Sequence, residues 1–220
     1  MAVVIAFGQK LSPEFVSLQP IVNLHASLLP RWRGAAPIHA SILNGDKYSG
    51  LSVISIAPKM DAGQILGQLS TPIGETETTG ELHDRLAELG PDLILEVLRQ
   101  PLKGEEQDES KVTYASKISR NDARLDLTQR AELVARTVRG FSPWPACHLS
   151  IAGIDCKILN AIPKDGTGEV GEVLEDGTIA VGEGSIEILS LKPSGSASMT
   201  WKDFCNGRSI QKGVCCEELL

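Results

Sequence analysis

Hydrophobic residues in the first half of the chain cluster in short runs that alternate with segments of helical spacing. Runs of this length are typical of strands in a largely buried sheet. Apolar positions three and four residues apart predict helices at 37–44 and 79–99. This alternation predicts an α/β domain, and a short loop between the last two strands suggests a hairpin. The predicted strands are 2–7, 21–27, 51–57 and 65–73.

The second half of the chain has a different pattern, in which short apolar runs are separated by turn residues such as Asp-Gly. One helix is predicted from Thr128 as its N-cap to Gly140 at its C-terminal end. Several short strands at this spacing predict a small β-barrel that is similar to an OB fold. The predicted strands are 148–151, 155–161, 168–174, 178–181 and 186–192.

A polar, acidic stretch separates these two patterns. Residues 104–109 have the sequence Gly-Glu-Glu-Gln-Asp-Glu, which is typical of a linker. A length of 220 residues is sufficient for two small domains. We therefore predict an α/β domain at 1–100, a linker at 101–115 and a β-barrel-like domain at 116–220.

Charge and cysteine content exclude several classes of protein. Residues 1–114 carry 9 Lys and Arg against 14 Asp and Glu, and residues 115–220 carry 12 against 14, so neither half has the basic surface usual for nucleic-acid binders. The five cysteines are an odd number without CxxC spacing, which indicates free thiols in the cytoplasm and no disulfide framework or metal site. No apolar run approaches the length of a membrane span, so no membrane association is expected.

Three side chains suggest chemistry at the end of the second predicted strand. Asn23 and His25 are two residues apart, so their side chains leave the same face of the strand. Open α/β sheets bind ligands at the carboxyl ends of their strands. Together with Asp61, these residues supply an amide, an imidazole and a carboxylate, which can stabilise an oxyanion and move protons during attack on a carbonyl. Each residue alone also fits a structural role, since a strand His is often hydrogen-bonded and Asp-Ala-Gly is a good turn.

A long composite motif extends this pattern. Residues 23–30 have the sequence Asn-Leu-His-Ala-Ser-Leu-Leu-Pro, residues 31–37 continue as Arg-Trp-Arg-Gly-Ala-Ala-Pro, and residues 60–63 are Met-Asp-Ala-Gly. The composite resembles the folate-dependent formyltransferases. Two further motifs, Thr-Tyr-Ala-Ser-Lys-Ile at 113–118 and Phe-Ser-Pro-Trp-Pro at 141–145, extend the resemblance over nearly the whole chain. The Arg-Trp-Arg-Gly-Ala-Ala-Pro segment and the second domain favour the branch of the family that formylates methionyl-tRNA.

The resemblance implies that the formyl group of 10-formyltetrahydrofolate passes to the α-amino group of methionyl initiator tRNA in translation initiation. It assigns catalysis to Asn23, His25 and Asp61 and implies no metal. It also implies that the second domain binds tRNA and that the first is an incomplete Rossmann-like domain, because family members carry further strands before residues 2–7. The residues assigned to folate binding are Ser27, Leu28, Leu29 and Pro30.

Two alternatives remain open at this point. The chain could be a non-catalytic remnant whose β-rich domain binds RNA through the scattered Arg residues around its predicted helix. Alternatively, it could formylate another amine, such as that of a sugar nucleotide.

Arg31 and Arg33 beside Trp32 could bind an anion, although such a group is often an exposed patch with packed side-chain stems.

Overall fold

The computed structural model describes residues 1–7 and 11–219, and the chain forms two compact units. The first comprises Met1–Ile73 and Glu81–Lys117, and the second comprises Gly74–Gly80 and Ile118–Leu220. The division into domains at 1–100 and 116–220 stays a prediction. The expected linker, residues 101–115, falls within the first unit, where Glu105 and Ile65 exchange two backbone hydrogen bonds of 2.9 and 2.8 Å.

The first unit is built around a four-stranded sheet with helices packed against it. Its elements in chain order are β1 (Ala2–Ile5), α1 (Pro13–Leu18), β2 (Ile21–His25), β3 (Arg33–Gly34), α2 (Pro37–Leu43), β4 (Tyr48–Ser55), β5 (Ile65–Pro72), α3 (Thr79–Leu98) and β6 (Tyr114–Ala115).

The main sheet has the strand order β1-β2-β4-β5 and is mixed in direction. β1 and β2 are parallel, whereas β2 with β4 and β4 with β5 are antiparallel. The hairpin predicted from the third and fourth apolar runs is therefore confirmed as β4 and β5. β3 and β6 form a separate parallel pair, which attaches the end of the predicted linker to the residues that follow β2.

The core of the first unit lies between α3 and the sheet. Leu82, Leu86 and Leu93 on one face of α3 pack with Val22 of β2 and Val53 of β4, and all five are buried. The spacing of four and then seven residues between these leucines places them on one helix face. This packing fixes the sheet whose strand ends carry the candidate site.

The second unit is a nearly closed barrel, as predicted. Its main sheet has the order β11-β10-β8-β7-β12, and β9 pairs with β10. Residues 171–173 complete the circuit, because Gly171 N donates to Ala180 O, while Val173 N and Cys216 N bond to Val214 O and Gly171 O. Its elements are α4 (Ala131–Phe141), β7 (Cys147–Ile151), β8 (Ile154–Lys164), β9 (Ile179–Ala180), β10 (Ser185–Pro193), β11 (Met199–Thr200), α5 (Trp201–Arg208) and β12 (Cys216–Glu218).

Two predictions for the second unit are wrong. The strand expected at 168–174 is reduced to isolated bridges at Glu172 and Val173. α4 begins at Ala131, three residues after the predicted N-cap Thr128. The Thr128 backbone N–H and hydroxyl both donate to the carboxylate of Asp126, so this threonine completes a turn before the helix.

Two helices have local sequence signals that the hydrophobic pattern does not show. The N-cap of α5 is Thr200, whose hydroxyl accepts a hydrogen bond from Asp203 N, three residues later. The N-cap of α1 is Ser12, whose hydroxyl accepts from Phe15 N. Over the described ranges 1–7 and 11–219, no helix is long and apolar enough to cross a membrane.

Candidate active site

The carboxyl end of β2 carries the two residues predicted from the strand pattern. Asn23 pairs with Ile54 of β4 and His25 pairs with Ser52, which confirms that Asn23 and His25 share one face of the strand. The His25 side chain is buried, and its Nε2 lies 2.8 Å from the carbonyl oxygen of Trp32. Because a carbonyl only accepts, Nε2 carries a proton in this contact.

The third predicted residue lies against His25. Asp61 follows β4 in the loop before β5, and its Oδ2 is 3.7 Å from His25 Nδ1. The same oxygen accepts a 2.9 Å hydrogen bond from the backbone N–H of Gly34. The structure therefore brings together two of the three predicted residues. A separation of 3.7 Å exceeds a direct hydrogen bond, so the two side chains are neighbours without a hydrogen bond between them.

Asn23 lies on the same face of the strand as His25, and no other described residue occupies its hydrogen-bonding groups. Its side chain is half-buried and forms no hydrogen bond with the described part of the chain. A carboxamide carries two N–H donors and an acceptor oxygen. Asn23 can therefore donate to a substrate oxygen without first breaking a bond within the protein.

The turn after β2 is held by hydrogen bonds from two other strands. Ser27 Oγ donates to Arg31 O at 2.6 Å across the turn. Ser52 Oγ, fully buried on β4, donates to Ser27 O at 2.6 Å and accepts from Leu29 N at 3.0 Å. Gln68 Nε2 on β5 donates to Leu29 O at 2.9 Å. These bonds define the backbone of the predicted folate-binding turn.

Leu28 and Pro30 complete the turn, and both are half-buried. Leu28 O accepts a hydrogen bond from Arg31 N at 3.1 Å, which closes the turn. Pro30 O accepts from Thr113 N at 3.4 Å. All four residues that the resemblance assigns to folate binding therefore lie in one turn that leads directly from the strand end.

The expectation of an exposed Arg31–Arg33 patch is wrong for Arg33, which is fully buried. Its Nε and Nη2 donate to Gln107 Oε1 at 3.0 and 2.9 Å, and Nη2 also donates to Glu109 Oε1 at 2.7 Å. Arg31 is partly exposed and pairs with Asp46 through two hydrogen bonds. The acidic stretch supplies partners for Nε and Nη2 of this buried guanidinium, whereas Nη1 has none among the described residues.

Charge around the loop of Asp61 is balanced by the same acidic stretch. Lys59 Nζ donates to Glu109 Oε2 at 2.7 Å. Hydrogen bonds from Lys59 and then Arg33 hold the pKa of Glu109 below its ordinary value. Among the residues that the structure describes, no group of three His, Cys, Asp or Glu is placed to hold a metal ion.

Sequence reasoning missed Ser52, Gly34 and Gln107 as supports of the site. Ser52 had a usable signal, because a serine between Leu51 and Val53 interrupts the apolar run of a buried strand. Gly34 and Gln107 had no local signal. Their partners lie 27 and 46 residues away along the chain.

These groups can polarise and protonate a carbonyl compound. The Trp32 carbonyl fixes the imidazole through Nε2, which leaves Nδ1 as the ring nitrogen that faces the carboxylate. A carboxamide donor on the same strand face can stabilise an oxyanion. A carboxylate nearby can accept a proton directly or through a water.

Family models match both parts of the chain. The model described as formyl transferase matches residues 1–98, and the model described as the formyl transferase C-terminal domain matches residues 117–209. The first range contains Asn23, His25 and Asp61, and the second contains the barrel strands from β7 to β11.

Curated relatives and a solved structure extend this similarity. A methionyl-tRNA formyltransferase of Ruegeria pomeroyi is 45% identical, covering 97% of this chain and 73% of the relative. A protein of the same name from Methylococcus capsulatus is 40% identical, covering 96% and 72%. HypX from Aquifex aeolicus in complex with tetrahydrofolic acid matches with a TM-score of 0.72 and 19% identity, over 92% of this chain and 38% of HypX. At that identity the similarity to HypX concerns the fold alone.

Proposed function

Because the chain belongs to the formyl transferase family, we propose that it transfers the formyl group of 10-formyltetrahydrofolate to the α-amino group of methionyl initiator tRNA. Relatives of this name cover 96% or more of the chain at 40% and 45% identity. The observation that carries the proposal is the contact of His25 with Asp61 beside the free carboxamide of Asn23. The reaction places the protein in translation initiation, and five free cysteines support a cytoplasmic location.

Asn23, together with His25 in its protonated form through Nδ1–H, stabilises the negative charge that develops on the formyl oxygen. The neutral α-amine attacks the formyl carbon, a C–N bond forms, and the carbonyl electron pair moves onto oxygen. A free α-amine has a pKa near 8, so a substantial neutral fraction exists near pH 7 without a strong base. One preorganised donor at a developing oxyanion contributes about 10²–10³ in rate.

Asp61 moves the proton that the reaction must transfer. Attack leaves the methionyl nitrogen as an ammonium, and collapse of the intermediate breaks the bond between the formyl carbon and the folate nitrogen. The departing nitrogen takes that electron pair together with a proton. Asp61 accepts the ammonium proton and passes it to the departing folate nitrogen, directly or through a water.

The turn of Ser27, Leu28, Leu29 and Pro30 contacts the folate. Its backbone is preorganised by Ser52 and Gln68, so little conformational freedom is lost on binding. Leu28 and Pro30 are half-buried and offer apolar surface beside the polar strand end. Folate binding is also named for HypX, which shares the fold.

A formyl-transfer assay tests the proposal. Purified chain is supplied with 10-formyltetrahydrofolate and methionyl initiator tRNA, and formylated product is quantified. We expect product that depends on both substrates, with no transfer to an amino-sugar nucleotide supplied instead. Transfer only to the sugar nucleotide supports the alternative that the chain formylates the amine of a sugar nucleotide. A folded chain that binds tRNA without transferring a formyl group supports the non-catalytic remnant.

A further inference from the structure

We propose that Gln107 is a positioning residue for Asp61: its carboxamide holds the Asp61 loop, residues 59–64, in the conformation in which the Asp61 carboxylate faces His25. The inference rests on the proposed function for the role of Asp61.

Gln107 connects the loop to a fully buried arginine. Its Nε2 donates to the backbone oxygens of Asp61 and Gly63 at 2.8 and 2.7 Å. Its Oε1 accepts the two hydrogen bonds from Arg33. The carboxamide is buried, and both of its donors and its oxygen are occupied. Rotation of the Gln107 side chain therefore cannot keep all of these hydrogen bonds if the Asp61 loop moves.

Two independent anchors fix Asp61. Its main-chain carbonyl is held by Gln107, and its side-chain Oδ2 is held by the N–H of Gly34, the residue next to Arg33. Gly34 is part of β3, and Gln107 is bonded to Arg33 of β3. The main chain and the side chain of Asp61 are therefore both attached to β3. β3 is in turn paired with β6, so the anchor is part of a hydrogen-bonded pair of strands.

The backbone of Asp61 requires such an anchor. Its φ is +51°, in the left-handed region that residues with a side chain adopt infrequently. A strained residue persists only where its surroundings determine its conformation. Without the Gln107 bonds, the Asp61 main chain loses one of its two anchors, and we expect the carboxylate to shift relative to His25.

The test uses Gln107→Glu in the full chain. Glutamate retains an oxygen for Arg33 but replaces the two N–H donors with an acceptor facing two carbonyls, so it releases the loop while keeping Arg33 hydrogen-bonded. Gln107→Asn is the second variant, since one methylene less prevents the carboxamide from reaching Arg33 and both carbonyls together. Gln100→Glu makes the same chemical change at an exposed position as the control.

Amide hydrogen exchange measured by NMR reports on the anchor without requiring activity. The Gly34 amide is bonded to Asp61, whereas the Arg33 and Ala35 amides are bonded to Thr113 and Ala115. We expect the Gly34 amide to exchange about tenfold faster or more in both Gln107 variants, with the amides of Arg33 and Ala35 unchanged. Folded variants with unchanged Gly34 exchange would overturn the proposal.

Kinetics supply the second readout. We expect kcat for formyl transfer to fall by about 10–100-fold, with KM for folate and tRNA within about twofold of wild type, because a small displacement of a proton-transfer group affects the reaction more than binding. Faster Gly34 exchange with an unchanged kcat refutes the catalytic consequence. A wild-type chain without activity, in which the Gly34 effect is still present, removes the proposed function and leaves the anchoring role supported.

Discussion

The candidate site joins two regions that are stabilised in different ways. The strand end at Asn23–Pro30 is held by the register of β2 against β4 and by backbone bonds from Ser52 and Gln68. The Asp61 loop is held mainly by side chains outside the main sheet, Gln107 among them. Regular pairing fixes many groups at once, whereas the loop depends on individual bonds. We infer that the strand end supplies the rigid part of the site, and that single substitutions perturb the loop more readily.

The largest expected effect comes from the loop. Asp61→Asn preserves the size of the side chain and an oxygen for Gly34, but it removes the proton acceptor. Proton transfer by a positioned group contributes about 10²–10⁴ in rate, so we expect kcat to fall by a factor in that range. The formyl-transfer assay under saturating substrates measures it, and thermal unfolding verifies that the fold is unchanged.

The control for this prediction is Asp84→Asn, the same chemical change on the exposed face of α3. It is expected to retain wild-type kcat. If Asp61→Asn is as active as the control, proton transfer takes another route and the Asp61 loop supplies no catalytic group.

The strand end gives the next largest effect. Asn23→Ala removes one oxyanion donor, and we expect kcat to fall by about 10²–10³ with little change in unfolding temperature. Asn206→Ala, on an exposed part of α5, is the control. Equal loss of kcat and kcat/KM would place the interaction in the transition state. A rise in KM alone would reassign Asn23 to substrate binding.

The two regions also differ in how far the sequence predicts them. The period-two alternation places Asn23 and His25 on one face, and β2 is found at Ile21–His25 within the predicted 21–27. The buried position of Arg33 could not be predicted in the same way. It depends on Gln107 and Glu109, more than seventy residues later, in a stretch whose polarity indicates a linker.

The barrel shows the same division. Alternating strands such as β8 and β10 follow the apolar pattern, with Ile158 and Ile188 buried in the unit. Residues 168–174 also carry spaced apolar residues, but they include two glycines, one of them Gly171 at φ +89°, and form only single bridges that close the barrel. The local apolar pattern predicts an extended backbone at 168–174, but it does not determine how many strands pair with this segment. Strand pairing is therefore least predictable where the sheet closes on itself.

A third prediction tests the rigidity of the strand end through stability. Ser52→Ala leaves Leu29 N, Ser27 O and Gln68 without the hydroxyl to which each is bonded. Removing one partner from buried polar groups costs about 1–3 kcal/mol, so the free energy of unfolding should fall by about that amount. Urea denaturation with a common m-value measures the loss.

Ser49 on the same strand is a matched control for Ser52. It is equally buried, and its hydroxyl has no hydrogen-bond partner among the described residues. Ser49→Ala is therefore expected to be neutral or slightly stabilising, because an unpaired buried hydroxyl is lost. Equal destabilisation by both substitutions would show that burial in β4, and not the bonding of the turn, stabilises this region.

The smallest effect concerns the outer end of the loop network, at Glu109. Its pKa is held below the ordinary value of 4.5 by hydrogen bonds from Lys59 and then Arg33. A lowered folded-state pKa contributes stability that is fully present above the unfolded value and is lost as the pH falls through the folded value. In Glu109→Gln this contribution is absent at every pH. The difference in urea midpoint between wild type and variant should therefore shrink between about pH 6 and about pH 3. Because Glu109 is 61% exposed, solvent screens these interactions and keeps the difference small.

Glu96→Gln, an exposed control on α3, changes the net charge equally and should show no such convergence. A constant difference for Glu109→Gln would mean that the carboxylate does not stabilise the loop through its charge, and that Gln107 alone connects Arg33 to the loop.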